Sequence, residues 1–462
     1  MERAASSASS RPARGDVLDL TVDALAYGGA GVARLNGYVV FVQDGIPGDR
    51  VRAEVQTAKR AYAQARAVEI VEPSPDRIAP RASHPGAPWQ VLPYERQLEA
   101  KQAQVDDALR RIGRLEDFEL EPIVPAVKPW RYRNKLEYSF GTDASGRLIC
   151  GFHAPGRWEE IVEVTDCLLA SERANDAREG VVRWCRAQGL SAFDRRSREG
   201  FLRNLVVRES RRGGELQVRL VTVPGELDRD GLIEADGLIE AVEPIGGLLW
   251  TQTDSVAETT QAGETELLAG SEHLEEEIGG MRIRISQSAF FQTNTEMAER
   301  LYRLAIDYAQ PAGTDRIYDL YCGIGTIGLL MAPRAAEVWG LELIEEAIAD
   351  AIANARLNEV ENAHFFAGDV RLALRELVAR AGRPDVLVVD PPRSGVSQKV
   401  VRRMIEAAPR RIVYVSCNPT TLAPNAAQLV EAGYALRKVR PVDMFPQTPH
   451  IEAVALLERD GG

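Results

Sequence analysis

Ile317-Tyr318-Asp319-Leu320-Tyr321-Cys322-Gly323-Ile324-Gly325-Thr326-Ile327-Gly328-Leu329-Leu330 decides how the carboxyl-terminal part of this sequence folds. Ile317 to Leu320 predict a short buried strand. Gly323, Gly325 and Gly328 follow, and then an apolar run suited to a helix. Glycines at this spacing make a tight turn and let a nucleotide approach the backbone. Three readings fit the loop alone: an NAD site, an S-adenosylmethionine site, or a plain strand-to-helix turn. Asp319 and Tyr321-Cys322 favour S-adenosylmethionine.

Downstream of Arg316 the pattern alternates strand and helix. Strands are expected near Ile317, Val338, Phe365, Leu387, Val413, Leu436 and Val454. That rhythm predicts a doubly wound, Rossmann-like sheet over residues 286–462, with ligands at the carboxyl ends of the strands. Glu342 ends the second strand, where an acidic side chain can accept ribose hydroxyls. Asp369 ends the third and is a candidate for the adenine amino group. Asp390-Pro391-Pro392-Arg393 ends the fourth; two prolines cannot continue a ladder, so Asp390 is presented on a stiff turn. The strand from Ile412 ends in Ser416-Cys417-Asn418-Pro419, which delivers a cysteine to the same edge. Asp443 to Glu452 precede the last strand.

Upstream, residues 1–14 are rich in Ala, Ser and Arg and read as a disordered tail. Residues 15–72 alternate like a small all-β module: Leu18, Leu20 and Val22, then Tyr38 to Val42, then Val51, Ala53 and Val55. Lys59, Arg60, Tyr62 and Arg66 bring cations and rings together, and the module resembles a TRAM domain, an OB-like barrel that binds RNA. Residues 73–285 hold a Pro-rich linker, an expected helix over Tyr94–Gly113 with Leu98, Val105, Leu109 and Ile112 on one face, and a strand-rich α+β region. Within it Arg131, Arg133 and Lys135 interleave with Trp130 and Tyr132, a pattern suited to single-stranded RNA. The repeat Asp230-Gly-Leu-Ile-Glu-Ala, copied from Asp236, reads as a surface duplication.

Composition sets the frame. The 462 residues carry a net charge of −12, so attraction to RNA has to come from local basic surface. The apolar runs are too short to span a bilayer. Five unclustered cysteines fit a reducing cytoplasm rather than a disulfide framework, and a monomer is expected.

Taken together, Tyr132 to Glu137, Phe290-Phe291-Gln292-Thr293-Asn294, Asp319 to Gly328, Asp390 to Arg393, Ser416 to Pro419 and Asp443 to Glu452 resemble the uracil-C5 RNA methyltransferase family. These enzymes make 5-methyluridine in transfer and ribosomal RNA. The resemblance implies Cys417 as nucleophile and Glu452 as base. It places Gln292, Tyr321, Gly323, Gly325, Thr326, Glu342, Asp369 and Asp390 around S-adenosylmethionine, and Lys59, Arg60, Arg131, Arg133 and Lys135 against RNA. Large-subunit ribosomal RNA is the favoured substrate on the strength of the barrel, with transfer RNA or a catalytically idle RNA-binding role as alternatives. The chemistry agrees: a thiolate adding to uracil C6 makes C5 nucleophilic, and a base then removes the C5 proton. A lowered Cys417 pKa is therefore expected. Many relatives hold an iron–sulfur cluster on four cysteines. Only Cys167 has a counterpart here, so no cluster and no metal is expected, and His84 is expected to be a loop residue.

Overall fold

The computed structural model describes residues 11–235, 245–255, 260 and 262–459, and these form two compact units. The first comprises residues up to Ser83, Ala87–Gln104 and Phe445–His450; the second holds the rest.

In the first unit, β1 (Val17–Leu25), β2 (Gly31–Leu35), β3 (Tyr38–Gln43), β4 (Arg50–Ala58) and β5 (Tyr62–Glu72) close into a barrel of order β1-β2-β3-β5-β4. Period-2 alternation explains it: Leu20, Val22, Val40, Val42, Val51, Ala53, Val55, Ala63 and Ala65 all fill the interior. Small residues on β5 suit the narrow centre of a five-stranded barrel. Of the expected tail, residues 1–10 lie outside the described residues, and Ala13 N–H donates to Asp16 Oδ2 (2.7 Å).

The helix after the linker runs Tyr94–Asp107 and continues as a π turn over Ala108–Ile112. Val105 and Leu109 are buried as expected, but Ile112 is exposed and Gln97, Lys101 and Gln104 are buried instead. Their partners explain the difference. Gln97 exchanges two hydrogen bonds of 2.9 Å with Gln447, and the Lys101 ammonium donates to the Phe445 carbonyl at 3.0 Å. A polar helix face is buried because it satisfies the backbone of Phe445–His450.

The second unit contains two large sheets. A short β6 (Glu119–Leu120) precedes β7 (Lys135–Thr142), β8 (Leu148–Ala154), β9 (Arg157–Glu163), β10 (Leu202–Glu209), β11 (Leu216–Thr222), β12 (Ile245–Gln252) and β13 (Glu264–Gly270). These seven, β7 to β13, form one sheet of order β13-β12-β11-β10-β7-β8-β9. Helix Glu172–Ala187 packs on it. Of the predicted duplication, the first copy overlaps a short helix, Arg229–Ile233, that buries Leu232; the second lies outside the described residues.

A hairpin, β14 (Leu274–Ile278) and β15 (Met281–Ile285), leads to the other sheet. There β16 (Arg316–Leu320), β17 (Glu337–Glu342), β18 (Ala363–Ala367), β19 (Val386–Val389), β20 (Arg411–Ser416), β21 (Tyr434–Val442) and β22 (Glu452–Arg459) occupy all seven expected places. Their order is β18-β17-β16-β19-β20-β22-β21, with β6 on the outer edge of β21. The first five run parallel, whereas β22 is antiparallel to both β20 and β21. That inserted reversed strand separates the sheet from the parallel dinucleotide-binding kind. It also brings the start of β22 back to the edge where the parallel strands end.

Candidate active site

Strand order reverses between β16 and β19, so the crevice lies past their carboxyl ends. The three glycines there do different work. Gly323 (φ +53) has open space where a side chain would begin. Gly325 (φ +83) is the left-handed cap of helix Thr326–Met331, and a Cβ there would come within 2.8 Å of the Phe365 ring. At Gly328 a Cβ would lie 3.0 Å from both Asp319 Oδ2 and Val338, so this glycine lets helix and strand approach closely. Tyr321 adopts φ +62, strained for a tyrosine, at the start of the loop. Thr326 is buried in the first helical turn.

Glu342 closes the crevice beside this loop. Its Oε2 accepts from Gly323 N–H at 3.3 Å, and its Oε1 from the N–H groups of Leu343 (2.7 Å) and Ile344 (3.1 Å). A carboxylate fixed next to an open glycine fits a nucleoside ribose, so these residues suit S-adenosylmethionine. Asp369 is differently placed. It caps helix Val370–Ala381 through Arg371 N–H (2.9 Å) and is gripped by the Arg371 guanidinium, which holds it below the usual carboxylate range. Adenine would have to share that carboxylate with Arg371. Gln292 is buried on the loop before helix Thr295–Ala309, and Phe290 on the same loop is 70% exposed.

Cys417 and Glu452 meet through strand register. β20 and β22 pair Ser416 with Ala453, so the next antiparallel step sets Cys417 opposite Glu452. The turn at Cys417 is built by its neighbours. Asn418 caps helix Pro419–Glu431 by accepting from Thr420 N–H (3.0 Å), and its amide donates to Arg393 O (2.9 Å). That bond ties the Cys417 turn to the Asp390–Arg393 turn.

Acids crowd this edge. Asp319 and Glu452 are buried. Burial lifts Asp319 to about 7 despite a 2.9 Å hydrogen bond from Gly328 N–H, and Asp390 and Glu342 push the same way. Burial also brings Asp390 to about 7. Glu452 stands well above the carboxylate range, through burial and then the Asp390 charge. The expected depression of the Cys417 thiol is not found. Burial, then Glu452 and Asp390, push it up to about 12, opposed by Arg393. A desolvated thiol beside two acids keeps its proton. Arg393, read in the sequence only as part of the proline turn, is the nearby cation. Tyr302, which the sequence did not single out, is buried under Asp390, Glu452 and Asp319 and is held protonated.

The other predicted residues fall into separate places. Lys59 and Arg60 are exposed on the turn from β4 to β5. Arg131 (φ +52) donates to Ala170 O (3.1 Å) and pairs with Asp166 (2.9 Å). The Lys135 ammonium is mostly buried and lies 2.6 Å from Glu137. Much of this basic stretch is engaged within its own unit. Asn134, between them, donates to Gln292 O (2.9 Å) and thereby fixes the Gln292 loop to the central sheet. His84 lies in the loop, as expected, but it is buried there, with Nε2 3.2 Å from Cys167 Sγ and its ring packed on Phe152. Burial lowers its pKa to about 4.

Among the described residues no helix is long and apolar enough to cross a membrane. Residues 260–460 match the tRNA (uracil-5-)-methyltransferase family model, and residues 12–68 match the TRAM domain. An uncharacterised RNA methyltransferase of Caldanaerobacter subterraneus is 38% identical over 452 residues, which is 97% of this chain and 100% of the relative. One from Bacteroides thetaiotaomicron is also 38% identical, over 94% of this chain and 100% of its own. The crystal structure of the Pyrococcus abyssi tRNA (uracil-54, C5)-methyltransferase with S-adenosyl-L-homocysteine superposes with a TM-score of 0.76 at 29% identity. It covers 95% of this chain and 100% of that one. The chain thus belongs to the S-adenosylmethionine-dependent RNA uracil-C5 methyltransferase family with an amino-terminal TRAM domain.

Proposed function

We propose that this enzyme methylates C5 of a uridine in RNA through a covalent bond between Cys417 and C6 of the base. The observation that carries the reading is the β20–β22 register that sets Cys417 opposite Glu452, with Asp390 close by. S-adenosylmethionine supplies an electrophilic methyl group on a cationic sulfonium.

The target uracil leaves its stack to reach Cys417. The thiol passes its proton to a nearby carboxylate as sulfur bonds to C6. Asp390 suits that role because its pKa near 7 leaves it partly ionised at neutral pH. The electrons displaced from the C5–C6 bond make C5 the nucleophile, and C5 takes the methyl group. Glu452, once it has released its own proton to solvent, removes the C5 proton as the carboxylate. The C6–S bond then breaks and releases Cys417. Arg393 offsets the negative charge gathered here, and exposed Phe290 offers a ring face to a base.

The barrel does not choose between ribosomal and transfer RNA, because the Pyrococcus tRNA enzyme aligns over 95% of this chain. Mapping 5-methyluridine in cellular RNA with and without the gene assigns the substrate; ribosomal RNA is the expected acceptor, and a lost transfer-RNA site would correct it. For the mechanism, Cys417→Ala should lower kcat by at least about 10⁴-fold while S-adenosylmethionine still binds. Glu452→Gln should accumulate a protein–RNA adduct stable to denaturation. Turnover by the Cys417 variant would remove the covalent mechanism.

A further inference from the structure

The central sheet carries a cleft of about 290 Å³ that no step above uses. It opens between the end of β7, strands β8 and β9, and the loop before β10. Its floor is a hydrogen-bonded chain. Asn204 Nδ2 donates to Ser139 Oγ (3.2 Å), and Ser139 Oγ lies 3.0 Å from His153 Nε2. His153 Nδ1 contacts the Trp158 carbonyl, which only accepts. The imidazole proton therefore sits on Nδ1, and Ser139 donates to Nε2. This chain fixes the backbone of Trp158.

Trp158 itself is 55% exposed on the cleft wall. Arg195 lies 5.7 Å from the Trp158 ring centre, and Arg203 lies 5.6 Å from that of Phe193. Arg196 and Glu159 pair at the rim. The indole presents an open ring to the cleft beside Arg195. An aromatic platform, a polar floor and a cationic rim together match the base, sugar and phosphate of one unstacked nucleotide. The run Asp194-Arg195-Arg196-Ser197-Arg198-Glu199 sets three arginines between two acids, and Asp194 and Glu159 line the cleft beside Arg195 and Arg196.

The cleft stands apart from the catalytic edge. Asn134, just before β7, contacts the Gln292 loop, whereas the cleft begins at Ser139. Along the strand, Ser139 lies roughly 17 Å from Asn134, and the cleft lining shares no residue with the catalytic edge. We propose that this cleft captures a second nucleotide of the RNA substrate, distinct from the uridine at Cys417, stacked on Trp158 with its phosphate at Arg195. The inference rests on the methylation reading for the identity of the ligand as RNA.

Fluorescence anisotropy with two single-stranded, uridine-containing probes tests it: one of about 20 nucleotides and a dinucleotide, whose single step is too short to bridge the two sites. Trp158→Ala should weaken binding of the long probe about tenfold, and Trp158→Phe should restore most of it. Arg195→Ala should lower the salt slope by about one. The short probe, the affinity for S-adenosylmethionine and kcat at saturating RNA should not change. Unchanged binding of the long probe by Trp158→Ala overturns the proposal, as does an equal loss on both probes. Binding of an acidic peptide that is lost in Trp158→Ala, with no Trp158 dependence of RNA binding, assigns the cleft to a protein partner and overturns it too. If the wild-type enzyme methylates no RNA yet Trp158→Ala still loses the long probe alone, the cleft stands and the methylation reading falls.

Discussion

Asp49 in the barrel unit and Asp319 in the methyltransferase sheet are both fully buried carboxylates, and they are held in opposite states. Burial alone would raise Asp49. The Arg77 guanidinium (Nη2 at 2.5 Å) and the N–H groups of Ile46 (2.9 Å) and Ser74 (2.8 Å) overcome it and hold Asp49 below its usual range. Asp319 Oδ2 accepts from Gly328 N–H, while its Oδ1 is buried without a hydrogen-bond partner and other acids stand near. Burial is common to both, so burial does not mark function. What differs is whether the surroundings complete the charge or leave it incomplete. An incomplete set costs stability and persists where a ligand's charge is to be received.

The comparison breaks most sharply at Asp49. Asp49→Asn leaves Arg77 without its counter-charge in a largely buried position and should destabilise the first unit by about 3 kcal/mol, read by chemical denaturation at pH 7. In the wild type this contribution is present above the unfolded carboxylate pKa near 4 and is lost as pH falls through the lower folded value.

Asp319 should behave in reverse. Its folded pKa of about 7 exceeds the unfolded one, so the folded state binds the extra proton between pH 4 and 7 and stability falls as pH rises through that window. Asp319→Asn keeps an acceptor for Gly328 N–H and should raise stability at pH 8 by about 1–3 kcal/mol, with little change at pH 4. Thermal melts at the two pH values check the sign; a destabilised variant at pH 8 would mean that the carboxylate is completed after all.

The smallest effect is at Arg393, which opposes the rise of the Cys417 pKa from an exposed position. Arg393→Ala should move the rising limb of the kcat/KM–pH profile upward by less than about one pH unit, and Arg393→Lys should largely restore it. A profile unmoved in the alanine variant would separate Arg393 from the thiol.

Legibility followed the range of the forces involved. The barrel strands and the seven strands from Ile317 to Val454 were readable because alternation and strand–turn–helix punctuation are local. Cys417 and Glu452 were nominated by motif, since each sits in a short apolar and turn-forming context. The helix Tyr94–Asp107 was misread at its face because Gln97 and Lys101 are satisfied by residues about 350 positions away in sequence. The burial of the loop residue His84 was not readable for the same reason, as its partner Cys167 is 83 residues distant.

The sequence by itself determined the strand order of events along the chain, the glycine loop, and the chemistry available at the sheet edge. Only the tertiary structure decided that β22 runs backwards between β20 and β21, which brings Glu452 to Cys417. It alone decided the charge states. Residue type fixes an ordinary pKa, but desolvation and neighbouring acids, which no stretch of sequence contains, raise the pKa of both Cys417 and Glu452.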